Sequence, residues 1–512
     1  MARKLDPTPL VRQLALRRTA ALRTADPVAA QRRVLDRLVR HARSTAFGRY
    51  HRFDRITGVD AYQAAVPLRR YEDFWRAYWQ PGFPCLDNVT WPGRVPFFGV
   101  TSGTTSGRTK YVPLTAAGLR QNRRAAFDML ATHLADRPKS RLFGGRSFVL
   151  GGSTALVQEG HGVWSGDLSG IVAKTAPSWM RPFTFPPNDI GLLGDWDVKL
   201  EAMIEAVDGL TITSLAGVPS WVLILFDRLA AAYGRWPLED LELYVTGGVR
   251  FEPYAARLEP HLARSSAVVR EVYPASEGFV AYQDRGLGEG LVLSFDTGLF
   301  FEFVPLAEVD DAQPTRHWLG NLETDVDYAI VVTSPNGLWS YVVGDVVRFV
   351  DRDPPRLLIT GRTAYMLSAF GEHLIQSELD DAIGAAVAAS GAELGEYVVG
   401  PVLPEHAGGL GHHLVFVEPT VAANLDPRKL ADELDRGLAE LNDDYRAHRA
   451  GGIGMAAPEV VVLQPGACAA WLRRLGRHGG QSKVPRVIAD PERFRAAAED
   501  LRQGDQSVGG FA

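Results

Sequence analysis

The densest chemistry in this chain lies at residues 101–110, TSGTTSGRTK, between the apolar runs VPFFGV (95–100) and KYVPL (110–114). Gly103 and Gly107 let the backbone turn sharply and bring its amides close to a ligand. Ser102, Thr104, Thr105 and Ser106 add hydroxyl donors, and Arg108 and Lys110 add positive charge. Converging amides, hydroxyls and cations are what a polyphosphate requires. A polar hairpin turn would need fewer of them. The segment is not a Walker A loop, which reads GxxxxGK[ST] and opens a helix. Here the flanking runs are short and rich in Val and aromatics, so both read as strands.

Composition narrows the classes of protein that would carry such a loop. The chain has 512 residues, 46% hydrophobic and 22% charged, near the average for a globular protein. That length suggests more than one domain and enough core to fold without disulfide or metal staples. Cys85 and Cys468 are the two cysteines and form no CxxC pair, so a reducing compartment is the default. A net charge of −5 gives no reason to expect a nucleic-acid partner. No stretch approaches the ~18 apolar residues that cross a bilayer. The first residues also lack the apolar core of a signal peptide. The expectation is a cytoplasmic protein without membrane association, with a monomer favoured.

The elements that must position the loop follow from hydrophobic spacing. The first fifty residues read as two helices, the second with Val34, Leu35, Leu38 and Val39 on one face. Thr115 can cap a helix from 116 to about 134, with Leu119, Ala126, Phe127, Leu130 and Leu134 on one side. Apolar strands then alternate with helices, the pattern of an α/β domain around a buried sheet. From about 291 to 350 successive short strands suggest a meander or distorted barrel. A fresh α+β pattern begins after 361. It has a helix over about 376–389 and another capped by Asp426, with Leu430, Leu434, Leu438, Leu441 and Tyr445 on one face and Gly451–Gly452 ending it. Residues 503–512 read as a soft tail. His406, His412 and His413 read as residues of a solvated glycine-rich loop, without metal-site spacing.

The loop resembles the phosphate loop of the adenylate-forming superfamily, which includes acyl-CoA synthetases, luciferases and peptide-synthetase adenylation domains. That loop usually reads like TSGTTGxPK, one residue shorter. The longer form here resembles the Gretchen Hagen acyl acid amido synthetases, best known for joining plant hormone acids to amino acids and found also in bacteria. Further segments match this family in order. VTGGVRF (245–251) is similar to its adenine-binding segment and VYPASEGFVAYQD (272–284) to its metal-proximal segment. GLWSYVVGDVVRFV (337–350) is similar to its ribose-binding strands, GRTAYMLSAFGEHL (361–374) to its interdomain hinge, and GGQSKVPRV (479–487) to its lysine loop. The resemblance spans about 45 to 490.

The resemblance implies a large N-terminal α/β domain with a distorted β-barrel portion (1–361), which binds nucleotide and acyl acid. It also implies a small mobile C-terminal α+β lid domain (362–512) carrying the lysine loop. ATP and Mg²⁺ would be the cofactors, and a small carboxylic acid and an amine or amino acid the substrates. Ser102, Gly103, Thr104, Thr105 and Lys110 would hold the phosphates. Gly247 and Tyr273 would meet adenine, Asp345 the ribose hydroxyls, and Glu277 the metal. Lys483 would reach the carboxylate and α-phosphate, and Arg362 would mark the hinge. Val218 and Trp221 are candidates for an apolar acid pocket, although a core helix would look the same. Two departures stand out: Ala364 replaces a polar hinge residue, and the family's SSE is here Ala275-Ser276-Glu277. An acyl-CoA ligase and a non-catalytic nucleotide-binding regulator are the alternatives, and retention of Lys483 argues against the second.

Overall fold

The computed structural model describes every residue except 1–5, 103–108, 152–155, 192, 194–195, 249–250, 310, 364–366, 368, 371, 373, 404–409, 443–444, 447–448, 450–454, 476–483 and 509–512. The chain divides into two compact units, Met1–Val343 with Val347–Leu358, and Gly344–Val346 with Ile359–Ala512. No helix among the described residues is long and apolar enough to cross a membrane.

The larger unit begins with helices Thr8–Arg23 and Pro27–Ala42. Asp26 caps the second by accepting from Val28 N (2.9 Å) and Ala29 N (3.1 Å), with Pro27 at the first position. Val34, Leu35, Leu38 and Val39 are all buried, as their spacing requires. Gln31 is buried beside them. Its amide donates to Phe295 O (2.7 Å) and Leu299 O (2.8 Å), and its oxygen accepts from Phe301 N (2.9 Å). A polar residue on the buried face thus pins the entry to the strand Phe300–Pro305.

A twelve-stranded sheet forms the spine of the unit. Strands Thr184–Phe185, Arg146–Leu150, Ile212–Gly217, Leu243–Gly247 and Val268–Ala275 pair in parallel. Helices Pro219–Ala232 and Glu252–Leu262 connect the later ones, as an α/β pattern predicts. The sheet continues through Gly278–Tyr282, Leu291–Leu293, Pro355–Arg362, Leu338–Arg352, Asp327–Ser334, Phe300–Pro305 and His317–Trp318. The short strands read from about 291 are therefore extensions of the same sheet. A second sheet of four strands contains the hairpin Phe97–Ser102 and Thr109–Leu114.

Helix Ala116–Asp136 follows the hairpin, with Thr115 as its cap, as expected. Its buried face differs from the apolar one. Leu119 and Leu134 are buried, but Ala126, Phe127 and Leu130 are only half-buried, while Gln121, Asp128 and His133 turn inward. Asp128 is held by a bidentate pair with Arg18 at 2.7 Å on both oxygens. Buried polar partners displaced the stripe that hydrophobicity alone selects.

The smaller unit has a three-stranded sheet, Leu394–Val402, His412–Pro419 and Glu459–Val462, with helices Gln376–Ala389 and Pro427–Leu441. Asp426 accepts from Arg428 N (3.0 Å), and Leu430, Leu434 and Leu438 are buried. The helix stops at Leu441, which is 49% exposed and leaves the expected face, while Tyr445, beyond the helix end, is buried in the same core as Leu430, Leu434 and Leu438. Gly451–Gly452 and His406 lie outside the described residues. The soft tail is helical as far as Val508, in helix Pro491–Val508. His413 is not a solvated loop residue: strand alternation turns it inward, where it is fully buried 2.8 Å from Glu372 Oε1.

His133 offers a test of this packing. Both ring nitrogens are buried without a hydrogen-bond partner. Burial first, then the charges of Arg270 and Arg137, pushes its pKa down to about 4. The folded protein therefore keeps the ring neutral over a range where the unfolded chain protonates it. The neutral state costs nothing above pH 6.5, and stability falls as pH drops from there toward 4. Wild type should lose about 2–3 kcal/mol from this residue between pH 7 and 4.5. Urea unfolding of His133→Met should show a correspondingly shallower loss; equal slopes would mean that the histidine is protonated in the fold.

Candidate active site

The hairpin register fixes where the glycine–hydroxyl segment starts and ends. Thr101 pairs with Lys110 and Ser102 with Thr109, so residues 103–108 join two paired strand ends. Gly103, Thr104 and Thr105 lie outside the described residues, as does the side chain of Ser102. Lys110 is half-buried, and its ammonium stands 5.3 Å from the ring centroid of Tyr71, a cation–π contact. Tyr71 in turn accepts a hydrogen bond from Tyr111 N (2.9 Å).

The helix that follows carries the frame of the site. Thr115 Oγ accepts from Gly118 N (3.0 Å) and donates to Pro335 O (2.6 Å). Thr115 N donates to Asn336 Oδ1 (3.0 Å), and Asn336 Nδ2 donates to Glu277 O (3.3 Å). Asn336 reaches this position because residue 118 has no side chain. A Cβ there would lie 1.8 Å from Asn336 Oδ1. Glu277 occupies the turn between strands Val268–Ala275 and Gly278–Tyr282. Just beyond it, Phe279 N donates to Asn122 Oδ1 (3.0 Å) and Gln121 Nε2 donates to Phe279 O (3.1 Å). The carboxylate of Glu277 takes a hydrogen bond from the Tyr341 phenol. Burial, then the charge of Glu277, holds that phenol far above its ordinary pKa, so it remains a donor. Glu72 and Tyr71 also act on Tyr341, and burial pushes Tyr71 up to about 12. Lys110 thus meets Tyr71 and Glu277 meets Tyr341, and the hairpin lies against the acidic turn, where a Cβ on Gly99 would come 3.7 Å from Ser276 Cβ.

The remaining predicted residues divide into three groups. Gly247 ends its strand opposite Val272, where a Cβ would come within 2.4 Å of Val272 O, so only glycine fits. Tyr273 is the next residue of that neighbouring strand. It is 6% exposed and packed in the main core, which leaves little of its ring open for stacking. Val218 precedes helix Pro219–Ala232 as its N-cap, and Trp221 packs half-buried against the core beneath that helix. Asp345, in strand Leu338–Arg352, is 5% exposed and belongs to the smaller unit with Gly344, whose carbonyl accepts from Thr363 Oγ1 (3.3 Å). Arg362 ends strand Pro355–Arg362 with its side chain outside the described residues, as Lys483 and Ala364 are entirely.

Sequence reasoning missed Tyr341, Asn336 and Tyr71. Tyr341 lies inside a quoted motif but in an apolar strand, where a tyrosine is unremarked. Only its partner across 64 residues of chain shows its use. Among the described residues no group of three metal-ligating side chains converges. A single positioned carboxylate suits Mg²⁺, which keeps its waters and arrives on phosphates, better than a metal needing a full protein cage.

Family models match the chain in three successive blocks: the GH3 family N-terminal domain over residues 18–206, the central domain over 292–362 and the C-terminal domain over 377–492. The chain belongs to the GH3 family. A probable indole-3-acetic acid-amido synthetase of Oryza sativa subsp. japonica, GH3.12, is 26% identical over 313 residues, 51% of this chain and 50% of its own length. The chain spans about half the length of the curated relatives it matches. The solved AtGH3.15 acyl acid amido synthetase in complex with 2,4-DB aligns over 98% of both chains with a TM-score of 0.76 at 17% identity. A 2-hydroxyisobutyryl-CoA ligase in the postadenylation state aligns over 92% of this chain and 91% of its own, with a TM-score of 0.59 at 17% identity. At such identities the likeness is one of fold, a mixed α/β architecture common to both enzymes.

The Gly118–Asn336 contact is testable by stability. Asn336→Ala leaves the buried Thr115 N–H and the Glu277 carbonyl without that partner, and should cost about 2–4 kcal/mol. Gly118→Ala should cost a similar amount by expelling Asn336. In the double variant the new methyl enters the vacated space, so the combined loss in urea unfolding should fall well short of the sum. Simple additivity would show that Asn336 is not what glycine 118 accommodates.

Proposed function

We propose that the chain is an ATP-dependent ligase that adenylates a small carboxylic acid and passes the acyl group to an amine, an amino acid above all. The observation that carries this reading is the packing of the hairpin that holds Lys110 against the acidic turn that holds Glu277, where a Cβ on Gly99 would come 3.7 Å from Ser276 Cβ, beside the root of the glycine–hydroxyl loop. Membership of the GH3 family supports it, as do the amido synthetase activities named for the rice relative and for AtGH3.15.

The chemistry explains the residue types. A carboxylate is a poor acyl donor, so its oxygen first attacks the α-phosphorus of ATP, and the bond to pyrophosphate breaks with the electron pair leaving on pyrophosphate. The protein contributes positioning and charge stabilisation. Ser102, Gly103, Thr104, Thr105 and Lys110 hold the phosphates. Glu277, oriented by Tyr341, is the carboxylate for Mg²⁺, which when bound neutralises phosphate charge. Gly247 and Tyr273 meet adenine, and Asp345 accepts from the ribose hydroxyls. Lys483 stabilises the reacting carboxylate and α-phosphate. An unprotonated amine then attacks the acyl carbon, AMP departs, and the amine's proton passes to solvent. In this reading the larger unit binds acid and nucleotide, the smaller one carries Lys483 with a hinge at Arg362, and Val218 with Trp221 borders the acid. Free Cys85 and Cys468 suit a cytoplasmic setting.

Acid-dependent ATP–pyrophosphate exchange across a panel of acids tests the first half. Lys483→Ala should slow it roughly 10²–10³-fold while calorimetric ATP binding persists. Exchange at the wild-type rate would remove Lys483 from the mechanism. Mass spectrometry after incubation with ATP, an accepted acid, coenzyme A and mixed amino acids tests the second half. An amide should dominate, and a thioester as main product would make the enzyme an acyl-CoA ligase.

A further inference from the structure

We propose that Ser340 is a positioning residue, locked in a left-handed backbone conformation by a buried cluster around Glu302 and Arg316 so that the next residue, Tyr341, aims its phenol at Glu277. The inference rests on the proposed role of Glu277 as the carboxylate for the nucleotide's metal.

Ser340 has φ +46°, a region costly for any residue with a Cβ, and it is completely buried. It sits within the strand Leu338–Arg352, where left-handed geometry interrupts the alternation of side chains and redirects the residue that follows. Strained backbone persists only where its surroundings over-determine it, and it gathers at functional sites.

The surroundings here are polar on every side. Ser340 N donates to Thr333 Oγ1 (2.9 Å), and Thr333 Oγ1 lies 2.7 Å from Tyr62 OH. Ser340 Oγ donates to Glu302 Oε2 (2.9 Å), accepts from Arg316 Nη2 (2.8 Å) and lies 3.1 Å from Tyr62 OH. Arg316 closes the cluster with a 2.7 Å ion pair to Glu302, a carboxylate with no exposed surface. It also donates to Gln63 O and Val66 O, both at 2.7 Å. The main chain on either side is held as well. Arg69 N donates to Ser340 O (3.0 Å) and Val342 N donates to Arg69 O (2.9 Å), bracketing Tyr341. None of Glu302, Arg316, Tyr62 and Thr333 is needed to hold nucleotide or acid in the proposed reaction. Their shared contact is Ser340, and the consequence of its geometry is where Tyr341 points.

Two substitutions separate backbone aim from loss of a hydroxyl. Ser340→Ala removes the anchor but keeps the penalty for φ > 0, so the backbone should relax and the phenol should leave Glu277. Ser340→Gly removes the same hydroxyl but has no such penalty, so the native φ and the phenol contact should survive. Crystal structures of the two variants read this directly. Calorimetry should show MgATP affinity about tenfold weaker in Ser340→Ala, within the range for disturbing a group that orients a metal-binding carboxylate. Ser340→Gly should stay within about twofold of wild type. Tyr341→Phe should match Ser340→Ala, and the Ser340→Ala/Tyr341→Phe double variant should be no weaker than Tyr341→Phe alone. Should Ser340→Ala fail to fold, Thr333→Val removes the acceptor of Ser340 N–H and should displace the phenol in the same way. A phenol still on Glu277 in Ser340→Ala or Thr333→Val overturns the inference, as does a double variant weakened by the product of both effects. If wild type binds no MgATP, the proposed function falls, while the crystal structures still decide whether Ser340 aims Tyr341.

Discussion

One asparagine side chain ties the candidate site together. Asn336 accepts from the residue that caps helix Ala116–Asp136 and donates to the backbone of the turn carrying Glu277. Both contacts depend on Gly118, because any side chain there would occupy the space of the amide. The capping residue also ends the connection to strand Thr109–Leu114, which holds Lys110. The hairpin, the helix and the acidic turn are therefore one mechanical assembly rather than three neighbours. A shift of the cap by a fraction of an ångström would move both charged side chains.

Buried polarity in the larger unit follows the same economy. Gln31, Gln121, Asn336 and Glu302 lie on elements whose apolar residues would pack without them. Gln31, Gln121 and Asn336 spend their hydrogen bonds on backbone or hydroxyl groups of distant segments, and Glu302 accepts from Ser340 Oγ, Gln63 Nε2 and Arg316 Nε. Replacing a buried ion pair such as Glu302–Arg316 with apolar residues of similar volume is often neutral or stabilising. Its retention here makes sense as a device that specifies geometry. A hydrophobic contact would tolerate Ser340 at negative φ, and the polar cluster does not.

Much of this architecture was legible in the sequence. Helical spacing located Pro27–Ala42 and Gln376–Ala389, and Thr115 and Asp426 announced their helices because capping is a local interaction. The two strands that flank the glycine–hydroxyl loop were legible from their Val and aromatic content. What stayed hidden was long-range. The buried face of helix Ala116–Asp136 turned toward Gln121, Asp128 and His133, because their partners lie far along the chain. His413 reads as a loop residue in sequence because its partner Glu372 comes from another segment. Tyr341 carried no local signal at all. Sequence periodicity reports which side chains prefer to avoid water, and it is silent about which polar groups find each other.

This division has a chemical reason. In the proposed reaction, in-line displacement at phosphorus would leave the protein little covalent work, so rate would come from donors and charges already oriented when the substrates arrive. There, any group that is ordered only on binding is ordered at the expense of binding energy. The acidic turn takes the opposite route. Its backbone is fixed by Asn336 and its carboxylate by a phenol that stays protonated well beyond physiological pH. A charged hydrogen-bond acceptor held by a neutral donor keeps its full negative charge, whereas a lysine or arginine in the place of Tyr341 would neutralise it and weaken its hold on a cation. A buried tyrosine is therefore better suited than a salt-bridge partner to orient a carboxylate of the proposed metal-binding kind, and the left-handed Ser340 beside it is the conformation proposed to put it there.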